Sequence, residues 1–165
     1  MTFDFGNGPV PAHRHVNGGG WVADTAQVAE TAYVGPNALV FDKAKVCGKA
    51  MVFNKAMVFD KAKVFGEAWV FGEAWVYGKA EVCGKAKVYG ETKVFGETKV
   101  FGGAWVYGGA KVFGSAEVYG EAQVFGGAWV YGGAWVYGSA EVYGEAQVFG
   151  SAAVFDIKIF KGEIK

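Results

Sequence analysis

The sequence predicts an all-β chain wound into a single-stranded parallel β-solenoid. Three observations predict it. Valine occupies every sixth position from Val10 to Val154, twenty-five times without exception. The residue after it is Phe or Tyr almost throughout, and the next is usually Gly. Alanine fills the fifth place of each unit from Ala26 to Ala152, replaced only by Thr92 and Thr98. A spacing kept this strictly gives each unit the same structural job. It also leaves no room for an inserted loop, where repeat folds keep most of their chemistry.

Residues 1–20 are expected to cap one end. Pro9 and Pro11 lie there, and Gly18-Gly19-Gly20 lacks the Lys-Ser/Thr that would make a phosphate loop, so it reads as a turn. The solenoid proper is expected over residues 21–155. A helix is excluded, because a glycine in each unit costs about 1 kcal/mol against alanine and six fits no 3.6-residue period. Ala-x-Val reads instead as a short strand with Ala and Val inward and the residue between them outward. The aromatic that follows points outward, and the Gly-x pair turns the corner. Asp42, Asn54, Asp60 and Asp156 replace that Gly. Asn and Asp are the non-glycine types most tolerant of positive φ, so the corner is expected to need it. Pro36 cannot adopt it, and its turn must be built differently. At the other end Lys158 falls where a small inward residue is wanted. The register should break after Phe155, and residues 156–165 should supply one capping strand at Ile157-Lys158-Ile159. Charged Lys161, Glu163 and Lys165 would discourage a further chain from adding there.

The bulk composition agrees with one folded domain. Sixteen basic and sixteen acidic residues leave zero formal charge, which gives no general attraction to nucleic acid. Twenty-seven glycines stand beside 14 Phe, 8 Tyr and 6 Trp, unlike a disordered glycine-rich chain. No apolar run approaches the roughly 20 residues of a membrane helix. Met1–Pro11 lacks the basic start and apolar stretch of a secretion signal. Two cysteines, Cys47 and Cys83, make a poor disulfide framework, so a cytoplasmic or virion-associated location is expected.

Val22-Ala23-Asp24-Thr25-Ala26, Val28-Ala29-Glu30-Thr31-Ala32 and Val34-Gly35-Pro36-Asn37-Ala38 resemble the hexapeptide pattern of left-handed parallel β-helices. The later units, such as Val118-Tyr119-Gly120-Glu121-Ala122-Gln123, resemble the VYGxAx arrays of bacteria and phages. The resemblance covers roughly residues 16–155. It implies a left-handed triangular prism with 18 residues per coil, hence about eight coils and a height of about 40 Å at ~4.8 Å per layer. Its stability would be a sum over stacked neighbours.

With 18 residues per coil, the outward aromatics form ladders, for example Phe53, Phe71, Tyr89, Tyr107, Phe125 and Tyr143. Trp75 and Trp129 share a face with Trp21, and Trp69 and Trp105 share another. Such ladders stabilise themselves by stacking. This much exposed aromatic surface is also an interface candidate. The residues singled out are Trp69, Trp75, Trp105, Trp129, Trp135, Tyr107, Tyr131 and Tyr137. The expected partner is a second copy of the chain, in a trimer or a head-to-tail assembly, or another protein. Charge is uneven along the axis. Six lysines fall in residues 43–63, whereas residues 112–155 hold glutamates and no lysine.

Residues 102–125 and 126–149 are near-copies. Their offset of 24 is four units and not a whole number of coils, so copies land on different faces. A binding site confined to one face would be scrambled by such slippage. The faces are therefore expected to be interchangeable, or any site to lie in the first half or at the caps.

No residue set predicts a cofactor, a metal or a catalytic centre. The resemblance implies one enzymatic alternative, because hexapeptide-repeat proteins are often acyltransferases with a histidine beside an intersubunit cleft. The only histidines, His13 and His15, precede the regular repeat, and they are the sole candidates for that role. His13-x-His15 is also half a metal site without a third ligand nearby. Cys47 and Cys83 share a ladder two coils apart, about 9.6 Å, which is too far for a disulfide. The leading expectation is a non-catalytic structural or interaction rod that self-associates through its aromatics. The alternatives are an acyltransferase-like enzyme, a phage accessory factor that binds a host protein, and a carbohydrate-binding rod.

Overall fold

A computed structural model describes Met1–Lys165 and contains only strands, turns and bends. Three sheets run the length of the molecule, each built from every third strand in the chain. The first face carries Val22, Val40 and onward, the second Val28 and Val46, the third Val34 and Val52. Consecutive coils pair in parallel at a register of 18 residues, as in Trp105↔Gln123 and Val106↔Val124. The chain is thus a three-sided parallel β-solenoid of about eight coils. Backbone bonds run from coil to coil, for example Tyr107 N donating to Val124 O over 2.9 Å.

The inside holds two residue types. The repeat valines from Val34 to Val154 are fully buried, and so are the alanines beside them. Thr92 and Thr98 stand in the alanine column and are buried as well. Their hydroxyls are satisfied locally, Thr92 Oγ1 donating to Tyr89 O at 2.8 Å and Thr98 Oγ1 to Phe95 O at 2.6 Å. Each hydroxyl therefore has a backbone acceptor within the core.

The corners behave as their composition requires. Asp42, Asn54, Asp60 and Asp156 all adopt positive φ, between 51° and 58°. Glycines of the same columns lie in that region too, Gly72 at 74°. The first coil turns otherwise: Asp24, Glu30 and Pro36 are not in the left-handed region. The change of corner begins at Asp42, in the unit where an aromatic, Phe41, first follows the valine.

Two sequence expectations are corrected at the ends. Val10 and Val16 keep the six-residue spacing but not its role. Val16 is 79% exposed and Val10 40%. The reason is chain direction. Strands β1 (Thr2–Asp4) and β2 (Pro9–Arg14) form an antiparallel hairpin, and β2 pairs antiparallel with β3 (Trp21–Ala23). This hairpin caps the first face before the coil starts. Gly18-Gly19-Gly20 then lies against the third face, with Gly20 N donating to Val34 O at 2.8 Å. A side chain at Gly18 would collide with Val34 O, so the tight approach needs glycine. At the other end two short strands form where one was expected. Lys158–Ile159 pairs with Glu141–Val142, and Glu163–Ile164 with Gln147–Val148. Ile159 and Ile164 follow Val154 at intervals of five, so the last two units are one residue short, and Lys158 turns outward to Glu141.

No helix of the protein is long and apolar enough to cross a membrane.

Candidate interaction surface

Three corner ladders follow from the stacking of coils. In the ladder between the third and first faces, Phe53, Phe71, Tyr89, Tyr107, Phe125 and Tyr143 stack at 4.7–4.9 Å with planes within 5° of parallel. Phe5, Phe41, Phe59, Tyr77, Phe95, Phe113, Tyr131 and Phe149 make the second ladder. The third is short, from Phe101 through Tyr119 and Tyr137 to Phe155. Cys47 and Cys83 interrupt its upper part; both are free thiols, separated by Phe65. Each ring covers its neighbours, so most ladder residues are half-buried and not open. Burial pushes the phenols of Tyr77, Tyr89, Tyr107 and Tyr119 above their ordinary pKa. It also raises the Cys83 thiol, which keeps it from the reactive thiolate form.

The exposed aromatics are five tryptophans of the sixth column, Trp69, Trp75, Trp105, Trp129 and Trp135, together with Phe155 and Phe160 at the C-terminal end. The eight residues singled out from sequence do not share one surface. Trp69, Trp105 and Tyr107 belong to the third face and its corner, Trp75, Trp129 and Tyr131 to the first, and Trp135 and Tyr137 to the second. Four of these tryptophans have a lysine over the ring. Lys87 Nζ sits between Trp69 and Trp105, at 4.9 and 4.8 Å from their centroids. Lys93 covers Trp75 and Lys111 covers Trp129, both at 4.6 Å. These cation–π contacts each contribute about 0.5–1 kcal/mol at such exposure.

The most continuous apolar strip lies in the first half of the first face. There Trp21, Leu39, Met57 and Trp75 follow one another in register. Phe41, Phe59 and Tyr77 flank them, and Phe3 stacks on Trp21 at 4.5 Å. Sequence reasoning weighed the tryptophans and missed Leu39 and Met57. The signal was present: these sixth-column positions are apolar where later coils of the same face place Lys93 and Lys111. No protein-family model, curated protein or solved structure matches the chain.

The axial charge difference is partly closed by pairs one coil apart. Lys55–Glu73, Lys63–Glu81 and Lys79–Glu97 bond at 2.7–2.9 Å, and Lys99–Glu117 at 3.6 Å. The carboxylates raise the three close lysines above their ordinary pKa, chiefly by accepting a hydrogen bond. Lys43, Lys45 and Lys61 make no ion pair, so the second face stays basic toward its start.

The two histidines face different surroundings. His13 is exposed, its Nδ1 2.7 Å from Asp24 Oδ1. His15 is buried at the mouth of the core, with Nε2 3.0 Å from Ala32 O. That contact requires a proton on Nε2, so this nitrogen donates and is not free as a base. No group of three His, Cys, Asp or Glu side chains converges anywhere on the molecule.

Proposed function

We propose that the chain is a non-catalytic rod, a left-handed hexapeptide-repeat β-helix, that self-associates through the aromatic strip of its first face. The observation that carries this reading is the unbroken run Trp21, Leu39, Met57, Trp75 beside Phe41, Phe59 and Tyr77. At about 4.8 Å per layer the run extends about 14 Å along the axis. A straight, rigid strip of this kind fits a second copy of itself, because a self-complementary contact needs only one patch. Trp75 is exposed and Trp21, Leu39 and Met57 are half-buried, and a continuous apolar strip is a common mark of an interface. Two further features support a role without chemistry. No loop leaves the coil between Val22 and Val154, and the His15 side chain is spent on a backbone carbonyl.

Sedimentation velocity across a hundredfold range of concentration tests the reading. The protein should sediment as a dimer, and Met57→Glu or Leu39→Glu should make it a monomer with an unchanged circular dichroism spectrum. A wild-type monomer at the highest concentration would remove the proposal.

A further inference from the structure

The 24-residue duplication copies the Trp and Gln rows of a surface constellation, and a lysine from the preceding coil stands over each copy. On the third face Lys87, Trp105 and Gln123 stack in register, with Gly103 beside Trp105 and Glu121 beside Gln123. On the first face Lys111, Trp129 and Gln147 stack in the same order, with Gly127 and Glu145 in the same places. Every residue of the second set is the first raised by 24. The contacts repeat as well. Lys87 lies 4.8 Å from the Trp105 centroid and Lys111 4.6 Å from that of Trp129. Tyr107 Oη donates to Gln123 Oε1 at 3.1 Å, and Tyr131 Oη to Gln147 Oε1 at 3.3 Å. Slippage by 24 does not scramble this group. Its two lower rows span residues 103–123, which fit inside one copied unit. These two rows are therefore moved together, by one face around the axis and about 6 Å along it, at ~4.8 Å per coil.

The other tryptophans lack the arrangement. Trp69 lies between Met51 and Lys87, Trp75 between Met57 and Lys93, and Trp135 between Glu117 and Ala153. Only Trp105 and Trp129 have a lysine on one side, a Glu and Gln pair on the other, and a glycine alongside. At the first site Gly103, Trp105, Glu121 and Gln123 line a cavity of about 310 Å³. The glycine matters because a side chain there would fill the space beside the indole.

We propose that these are twin binding sites for the pyranose rings of a neutral β-linked glycan. Each indole, close to 40% exposed, supplies a flat apolar surface for the C–H face of a sugar. An all-equatorial ring presents such a face, and its hydroxyls point outward at the rim. Glu121 and Gln123, or Glu145 and Gln147, stand one coil away with two acceptor oxygens, an acceptor and a donor amide for them. The local charge selects against ionic ligands. Lys87 already holds a cation over Trp105, which opposes a second one, and Glu121 opposes an anion. A neutral ligand with one apolar face and a polar rim satisfies all four groups. Two sites on adjacent faces make the rod bivalent, able to hold two glycan strands or two branches of one.

Titration calorimetry and tryptophan fluorescence with cellohexaose, chitohexaose and maltohexaose test this. At least one of the two β-linked hexaoses should bind with two sites per chain. Trp105→Ala and Trp129→Ala should each remove one site, and the double variant both, whereas Trp135→Ala should keep two. Glu121→Ala with Glu145→Ala should weaken both sites more than about tenfold with every indole in place; this pair decides the matter if the double tryptophan variant unfolds. Silence of both β-linked hexaoses up to about 5 mM would overturn the proposal. So would binding that survives both double variants, or a preference for α-linked maltohexaose. None of these outcomes bears on self-association, which rests on Leu39 and Met57 in a different stretch of the rod.

Discussion

The rings of Tyr89 and Tyr107 lie 4.9 Å apart and within 2° of parallel, one coil above the other. Two phenols so placed cannot both ionise cheaply. Burial raises the Tyr89 pKa above 10.0 first, and the neighbouring Tyr107 raises it further. Tyr107 is raised by burial and then by Glu141. A folded pKa above the unfolded one means the fold prefers the protonated phenol. The stabilisation is therefore complete below about pH 10 and is lost as pH rises through the folded values. Absorbance at 295 nm should show a group of tyrosines ionising later than the rest, with the melting temperature falling over the same range. Tyr89→Phe should match the wild type at pH 7 within about 0.5 kcal/mol and lose less stability in alkali. Uniform titration of all eight tyrosines at the ordinary value would contradict this account.

The corner columns permit a sharper mutational test. Gly72 has φ +74°, and Asn54, directly above it in the same column, has φ 58°. The column already accommodates one Cβ at Asn54, but a Cβ on Gly72 would come to 2.8 Å from Gly90 N, so adding it costs both a left-handed conformation and a small shift of the next coil. Gly72→Ala should destabilise by at least about 1–2 kcal/mol, the penalty of an L-residue in the left-handed region, with the contact to Gly90 added to it. Gly72→Asn should cost clearly less, because its short amide can bond to the local backbone. Urea unfolding of the two variants decides it: equal losses would mean that contact with Gly90, and not φ, sets the corner.

These columns also show why so much of the fold was legible. A solenoid has one local rule, and the rule is restated in every unit, so Val, Ala, the outward aromatic and the αL corner each announce themselves many times. The ends have no repetition, and there the reading slipped. Val16 satisfies the spacing yet lies outside the coil, because spacing carries no information on chain direction. Ile159 took an inward place five residues after Val154, and Ile164 paired with Val148 after another five while staying exposed, which a strict six-residue register does not anticipate. The surface was legible only in part for a related reason. Its meaning lies in pairs 18 apart, such as Trp105 with Gln123, and not in any residue type taken alone. Reading the tryptophans by themselves spread the candidates over three faces and passed over Leu39 and Met57.

The coil-to-coil ion pairs should matter little at neutral pH in salt. Lys79 Nζ and Glu97 Oε1 are 2.7 Å apart, but both side chains are 63% exposed. The lysine holds the Glu97 pKa below its ordinary 4.5, first by a hydrogen bond and then by its charge. A depressed carboxylate contributes stability that is present above pH 4.5 and disappears as pH falls through the folded value. Glu97→Gln should therefore lower the melting temperature slightly at pH 7 in dilute buffer. The difference should shrink as pH falls below 4.5, and it should vanish at pH 7 in about 1 M salt. A difference that persists in high salt would point to packing by the Glu97 stem and away from the charge.

Two valines of identical sequence register make the final comparison. Val106 is fully buried between the Val88 and Val124 layers, whereas Val16 is 79% exposed beside the cap. Val106→Ala removes two methyl groups from a core too thin to refill the space, which should cost about 2–3 kcal/mol. Val16→Ala should change stability by less than about 0.5 kcal/mol. In a stack held by nearest-neighbour contacts, the same truncation at Val88 or Val124 should cost nearly as much as at Val106. Chemical denaturation of the four variants checks both statements. A large loss at Val16 would mean that the hairpin cap is joined to the coil more tightly than its contacts with β3 indicate, and that the six-residue register extends to the first turn after all.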